Sequence, residues 1–425
     1  MGDLFFYNGT IFDGERLREA DVLVRGDRIA AVLDREAGEN PVPEGAQGVD
    51  CTGLVLSPGL IDLHVHFREP GFEAKETIRT GSMAAARGGF TTVCTMPNLN
   101  PVPDSPEHMQ VQQDIIDRDA VIEVLPFAAI TVGEKGEQLV DFEAMAGRCV
   151  GYSDDGRGVQ SCEMMLEAMQ HVAAQNSFIS AHCEENSLLF GGAIHDGRYA
   201  KEHGIPGICS ASETIPIARD VVLAERTGVR YHVCHISARE SIEAVRVAKA
   251  RGAKVSCEAT PHNICFCEDD LQDDGRFKMN PPLRAASDRD AILEGLLDGT
   301  IECISTDHAP HTAEEKSRGL ARSLNGIVGS ETAFSACYTR LVAGGHMDLA
   351  ALLKLMTVNP GRILGRTVRL AAGEPASLVL LDCNASYTVD PADFASMGKS
   401  SPFTGLTLTG QVAATYYLGK KVYER

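Results

Sequence analysis

The chain has no long apolar run, which excludes a helix able to span a bilayer. It is poor in basic residues: 39 Lys and Arg stand against 59 Asp and Glu, a net charge of −20. That field repels nucleic acid and anionic membranes, so neither is expected as a partner. An anionic small molecule would need a local positive site. There is no paired Cys-x-x-Cys either. The 13 cysteines are odd in number and scattered through apolar runs such as Thr92-Val-Cys94-Thr95, unlike a disulfide framework. Free thiols pack as small hydrophobes and fit a reducing cytoplasm. Cys265-Phe-Cys267 is at most half of a metal site. The start, Met1-Gly-Asp-Leu-Phe-Phe6, is too short and too acidic for a signal peptide.

What is present is an alternation. Apolar, β-branched segments begin near Ile61, Thr91, Val121, Cys149, Phe178, Arg230, Lys254 and Ile301, and helical stretches separate most of them. Between Cys162 and Ala173, Met165, Leu166, Met169 and Val172 recur at the helical period and are expected to pack. Ser237, three residues before Glu240, is expected to cap a helix through a capping box. Eight strands alternating with helices predict a (β/α)8 barrel over 57–365. Both ends read as short strands with turns at Asn8-Gly9 and Arg25-Gly26-Asp27. The expectation is therefore one small β-sandwich domain built from 1–56 and 366–425. The stretch Glu185–Ser210 is long for a connection, and its pattern leaves open an active-site loop or a surface excursion.

Barrel chemistry gathers at the C-terminal ends of strands. The first candidate end carries His64 and His66, which share one strand face. The fourth carries Asp154 and Asp155, the fifth His182 and Glu184, the sixth His232 and His235, and the eighth Asp307, His308 and His311. Imidazole and carboxylate recurring at strand ends point to a shared metal site, for which zinc is suited. Strand parity places Asp154 and Asp155 on opposite faces without saying which points inward.

Six segments carry a family likeness: Asp62-Leu-His64-Val-His66-Phe-Arg68-Glu-Pro-Gly71, Thr95-Met-Pro-Asn98, Ser153-Asp-Asp155-Gly156, His232-Val-Cys-His235, Lys278-Met-Asn280-Pro-Pro-Leu-Arg284 and Ser305-Thr-Asp307-His-Ala-Pro-His311. In this order they resemble the bacterial class I dihydroorotases of the amidohydrolase superfamily, and the likeness runs over nearly the whole chain. It departs at Pro261-His262-Asn263 and Ala376-Ser377-Leu378, where many relatives have Pro-His-His and Ala-Asp-Leu.

The resemblance implies that His64, His66 and Asp307 hold one Zn2+, that His182 and His235 hold a second, and that Asp155 bridges them. Two ions are expected, with a single ion the alternative. Arg68, Asn98 and His311 would bind the substrate carboxylate, and Asn280 would contact the ring. The implied reaction is reversible hydrolysis of the cyclic amide of (S)-dihydroorotate to N-carbamoyl-L-aspartate in pyrimidine synthesis, with Asp307 as proton carrier. A homodimer, and assembly with aspartate transcarbamoylase, are the implied partnerships. Two other readings stand beside this one. One is a cyclic amidohydrolase for neutral substrates, such as an allantoinase or dihydropyrimidinase, which gives Arg68 no partner. The other is a silent dihydroorotase-like subunit of aspartate transcarbamoylase, which would be expected to lose metal ligands.

Overall fold

The computed structural model describes residues 2–35 and 40–425. Met1, which opens the segment read above as too short for a leader, lies outside them. Six short strands come first: β1 Asp3–Tyr7, β2 Thr10–Phe12, β3 Leu17–Arg25, β4 Arg28–Asp34, β5 Ala46–Asp50 and β6 Val55–Pro58. Arg25-Gly26-Asp27 turns β3 onto β4 with Arg25 opposite Arg28, as expected of a hairpin. Asn8-Gly9 also turns the chain, with Asn8 at φ 64°. Its flanking strands do not pair with each other; both lie against β3.

The barrel begins with three parallel strands, β7 Leu60–Val65, β8 Phe90–Thr95 and β9 Glu123–Pro126. After β10 Phe178–Ala181 the chain makes an excursion holding a two-residue ribbon, β11 Ile194–His195 and β12 Gly207–Ile208. It then returns as β13 Arg230–Val233, β14 Val255–Ala259 and β15 Cys303–Ile304, parallel to β10. The fourth barrel strand, expected near Cys149, shrinks to Tyr152, which bridges Ala128 and Ile179. Beside it the sheet is tight: a Cβ on Gly151 would sit 2.9 Å from the Phe178 carbonyl. The ring closes where Val65 pairs with His308 and the His66 N–H donates to the His308 carbonyl at 2.8 Å. Strands β7 and β8 are buried along their whole length, as strands covered on both faces must be. The helix Cys162–Ala174 buries Met165, Met169 and Val172. Leu166 and Ala173 lie at the edge of that face and are half-buried.

The C-terminal strands β16 Leu378–Thr388, β17 Thr407–Tyr417 and β18 Lys420–Glu424 complete the outer sheet, in the order β18-β17-β16-β6-β2-β3-β1-β5 with β4 on β3. The two chain ends meet where β6 pairs antiparallel with β16. Alternate residues of β16 serve two cores, because a strand repeats every two residues. Leu378 and Leu380 join Phe6 and Ile11 in the β-domain, while Val379 and Leu381 join Leu60 and Phe90 in the barrel. The β16–β17 register slips by one residue at Ala413, which turns Val412 to the barrel core and Ala414 to the other.

Two local readings are settled by tertiary contacts. The helix expected to be capped by Ser237 runs Arg239–Ala250 with Ala238 at its N-cap, so the capping box with Glu240 does not form. Ser237 is drawn into a buried ion pair instead. Its hydroxyl donates to Glu213 and accepts from Arg284 Nε at 2.7 Å, and Arg284 Nη2 meets Glu213 Oε2 at 3.1 Å. The first N–H groups of the helix go to remote carboxylates, Ala238 N to Glu213 at 3.0 Å and Arg239 N to Asp288 at 2.9 Å. The Glu185–Ser210 excursion is built rather than idle. Ile194 and Ala200 pack with Phe277, Met279 and Leu283, under the loop that carries Asn280.

Candidate functional site

The expected site residues converge at the C-terminal mouth of the barrel. A cavity of about 170 Å³ is lined by His66, Arg68, Asn98, Asp155, His182, His235, Asn280, Asp307 and His311, with Gly156, Asn325 and Gly326 between them. His64 lies beneath its floor, fully buried.

The floor is set by β7. Asp62, buried within the strand, accepts from the His64 N–H at 3.1 Å, from the Thr306 N–H at 3.0 Å and from the Thr306 hydroxyl at 2.5 Å. One carboxylate thereby ties His64 to the segment leading into Asp307. His64 Nδ1 faces Glu258 Oε1 at 3.1 Å, and His66 Nδ1 faces Asn98 Oδ1 at 3.0 Å. With those nitrogens donating, each Nε2 is left as a lone pair, and the two Nε2 atoms are 3.3 Å apart. His182 Nδ1 and His235 Nε2 are 3.0 Å apart.

Asp155 lies among all four imidazoles. Its Oδ1 is 3.4 Å from His64 Nε2, 3.6 Å from His182 Nδ1 and 3.7 Å from His235 Nε2, and its Oδ2 is 3.4 Å from His66 Nε2. Burial opposes its charge, but His64, His235 and His66 hold the carboxyl well below its ordinary range. Asp307 Oδ1 is 3.2 Å from His66 Nε2 and 3.5 Å from His64 Nε2. Burial again opposes the charge, and His66 and His64 bring this carboxyl down to about 2. Asp154 is turned away: it accepts from Ile130 N at 2.7 Å, Thr131 N at 3.0 Å and the Thr131 hydroxyl at 2.5 Å. The choice that strand parity left open therefore falls on Asp155.

These residues fit a metal. Imidazole nitrogens and carboxylate oxygens crowd within 3.0–3.7 Å of one another, so protons or a cation must lie between them, and buried Asp155 Oδ1 has no hydrogen-bond partner. A cation satisfies them all. Among the described residues, two of the four groups with donor atoms within 4.8 Å of one another hold the expected ligands: His64 with His66 and Asp307, and His64 with Asp155 and His235. His182 adjoins the second through His235. Cys234 and Cys303 also lie near, each with Glu258 and a histidine. Burial pushes the Cys234 thiol up to about 12 and the Cys303 thiol well above its ordinary value, so both are protonated.

One wall of the cavity is positive. Arg68, at φ 60°, donates Nε–H to the Pro310 carbonyl at 3.2 Å and places Nη2 3.5 Å from His311 Nε2. The salt bridge to Glu69 or Glu73 that would make it structural is not formed, since those carboxylates accept from Ile78 N and Gly71 N. Burial lowers the Arg68 guanidinium to about 10, still charged at neutral pH. Burial, Arg68 and Lys75 push His311 down to about 3. The neutral ring donates Nε2–H to the Asn325 carbonyl at 2.7 Å and presents Nδ1 to the Lys75 ammonium at 3.3 Å. Across the cavity, Asn280 Nδ2 donates to Glu184 Oε1 at 2.8 Å and stands 3.5 Å from His182 Nε2. His235 and Asp307 also hold positive φ, at 32° and 48°. Such backbone persists where surrounding contacts over-determine it.

Glu258 is a further residue of the site, one not among those expected from the sequence. It is the single acid in Val255-Ser-Cys-Glu258-Ala259, and an acid near the end of an otherwise buried barrel strand was the available signal. Its second oxygen accepts from His232 Nε2 at 3.1 Å, so His232 supports Glu258 rather than lining the cavity. His308 orients its loop: Nδ1 accepts from the Gly329 and Ser330 N–H groups at 3.2 and 3.4 Å, and Nε2 faces Glu76 at 3.5 Å. His262 is buried beside the site, with Nε2 unpartnered.

Comparison with known proteins agrees with this geometry. The family described as Dihydro-orotase-like matches residues 53–241. A dihydroorotase from Bacillus caldolyticus is 49% identical over 424 residues, covering 98% of each chain. One from Shouchella clausii is 52% identical over 383 residues, covering 89% of this chain and 90% of its own. Among solved structures, L-hydantoinase (dihydropyrimidinase) from Arthrobacter aurescens superposes with a TM-score of 0.89 at 24% identity, covering 100% of this chain and 96% of that one. D-hydantoinase (dihydropyrimidinase) from a Thermus species gives 0.82 at 24% identity, over 98% and 94%. At that identity the hydantoinase likeness speaks to the barrel and its β-sandwich, and it leaves the substrate to the cavity wall.

Proposed function

This chain belongs to the dihydroorotase family, and on that premise we propose how its residues carry the reaction. The protein is a cyclic amidohydrolase with dihydroorotase function. It acts on a small molecule, opening the cyclic amide of (S)-dihydroorotate to N-carbamoyl-L-aspartate and closing it again. The observation that carries the assignment of roles is the pairing, within one cavity, of a buried His and Asp cluster with a cationic wall.

His64, His66 and Asp307 are proposed to hold one Zn2+, and His182 and His235 a second, with Asp155 shared between them. A bound metal would lower the pKa of a water and polarise the ring carbonyl. Arg68 suits the substrate carboxylate because its planar fork can pair with both oxygens. The His311 ring and the Asn98 amide flank that position, and Asn280 faces the substrate ring from the opposite side. Asp307, ionised at neutral pH, accepts a proton from the attacking water at a carboxylate oxygen. It delivers that proton to the ring nitrogen as the C–N bond breaks.

Arg68 and His311 favour an anionic substrate over the neutral ones of an allantoinase or dihydropyrimidinase. The six intact ligands speak against a silent subunit. The class I subdivision, the division into 1–56, 57–365 and 366–425, a homodimer, assembly with aspartate transcarbamoylase and a cytoplasmic location are further parts of this reading. The last is supported by thirteen free thiols; no described helix is long and apolar enough to cross a membrane. Interconversion of dihydroorotate and N-carbamoyl-L-aspartate, assayed in both directions on metal-loaded protein, tests the assignment. Turnover in neither direction contradicts it.

A further inference from the structure

Lys316 lies at the end of the short helix Ala313–Lys316 and is 7% exposed. An ammonium has three donors, and here all three go to backbone carbonyls: Lys278 at 2.9 Å, Leu324 at 2.8 Å and Gly326 at 2.6 Å. The Gly326 N–H returns to the Lys278 carbonyl at 3.0 Å. Lys278 in turn sends its own ammonium to the Ala193 carbonyl of the excursion. Three chain segments that do not follow one another in sequence are thereby joined. Two of them wall the cavity, one with Asn280, the other with Asn325 and Gly326. The Asn325 carbonyl, between the Leu324 and Gly326 carbonyls in the chain, is the acceptor of His311 Nε2–H.

We propose that Lys316 is a positioning residue for substrate: by holding the carbonyls of Lys278, Leu324 and Gly326, it fixes the Asn280 loop against the Asn325–Gly326 wall and so sets the orientation of the His311 ring. This rests on the substrate-binding roles given above to Asn280 and His311. An apolar side chain of similar length, such as Met, would fill most of the space and leave three carbonyls without donors. The charge itself is costly to bury. Burial, with Lys278 nearby, draws its pKa down to about 7, so the three-donor ammonium predominates below neutral pH. A group held at that cost by carbonyl geometry serves the geometry.

The test uses metal-loaded Lys316→Met and Lys316→Gln beside the wild type. In Lys316→Met the KM for dihydroorotate is expected to rise tenfold or more, with kcat within threefold and metal content unchanged. A role in stability alone would not produce that split. Amide hydrogen exchange is expected to quicken over 278–280 and 324–327 but not over 60–66. Lys316→Gln keeps two N–H donors and should lie between, and it carries the test if the Met variant does not fold. Unchanged KM in a folded variant, a loss of kcat with loss of metal, or failure of both variants to fold would overturn the proposal. The exchange comparison needs no turnover. A wild type inactive on dihydroorotate would therefore refute the functional reading, while the exchange pattern still decides the role of Lys316.

Discussion

Glu258 and His64 meet within the barrel, Oε1 to Nδ1 at 3.1 Å, and both are fully buried. Burial opposes the charge on Glu258, but hydrogen bonds from His232 and His64 hold its carboxyl well below the ordinary range. The carboxylate fixes the tautomer of His64 and turns Nε2 toward the cluster, the arrangement by which outer carboxylates orient metal-ligating imidazoles. Glu258→Gln is expected to weaken metal affinity about 10–100-fold. Competition with a chelator, followed by metal analysis, measures it.

Arg68→Ala should impair carboxylate recognition. Losing one partner of a desolvated charge pair costs about 2–5 kcal/mol. That loss is expected chiefly in KM, with kcat less affected. Because burial brings the guanidinium to about 10, wild-type KM should hold as pH rises and worsen above about pH 10. Steady-state kinetics across pH reads both effects.

His262 makes stability depend on acid. Burial lowers its imidazole to about 4 in the folded chain, against about 6.5 when exposed. Below pH 6.5 the unfolded chain binds a proton that the folded chain refuses. Stability is therefore complete above that pH and is lost as pH falls toward 4. At pH 5 the loss from this group is about 2 kcal/mol. Urea unfolding of the metal-free protein at pH 7 and pH 5 should show it. In His262→Leu the difference between the two pH values should shrink by about that amount.

Glu213→Gln removes the charge opposite buried Arg284 and weakens the cap on the helix that follows His235. Breaking a buried pair from one side costs about 3–5 kcal/mol. A lower urea midpoint with unchanged slope is the expected outcome.

The sequence made the barrel legible because buried parallel strands alternate with helices at distinct periods. It made the ligands legible because His and Asp recur at strand ends. Other features depended on contacts distant in sequence. Ser237 reads as a helix cap from its neighbours, and only the fold brings Arg284 and Glu213 to it. Asp154 and Asp155 are equivalent by period, and the choice rests on Ile130 and Thr131 offering donors to one of them. Glu258 looks like an ordinary acid until His64 and His232 close on it. The outer sheet was expected from strand-like texture at both ends, but its joint, β6 on β16, is a pairing across more than 300 residues that no local pattern encodes.

The most direct test of the central claim is turnover of dihydroorotate by metal-loaded wild type beside Asp307→Ala, with allantoin and dihydrouracil as controls. The account predicts turnover of dihydroorotate alone and its near-complete loss in Asp307→Ala. Turnover of the neutral rings in place of dihydroorotate, or undiminished activity in Asp307→Ala, would contradict it.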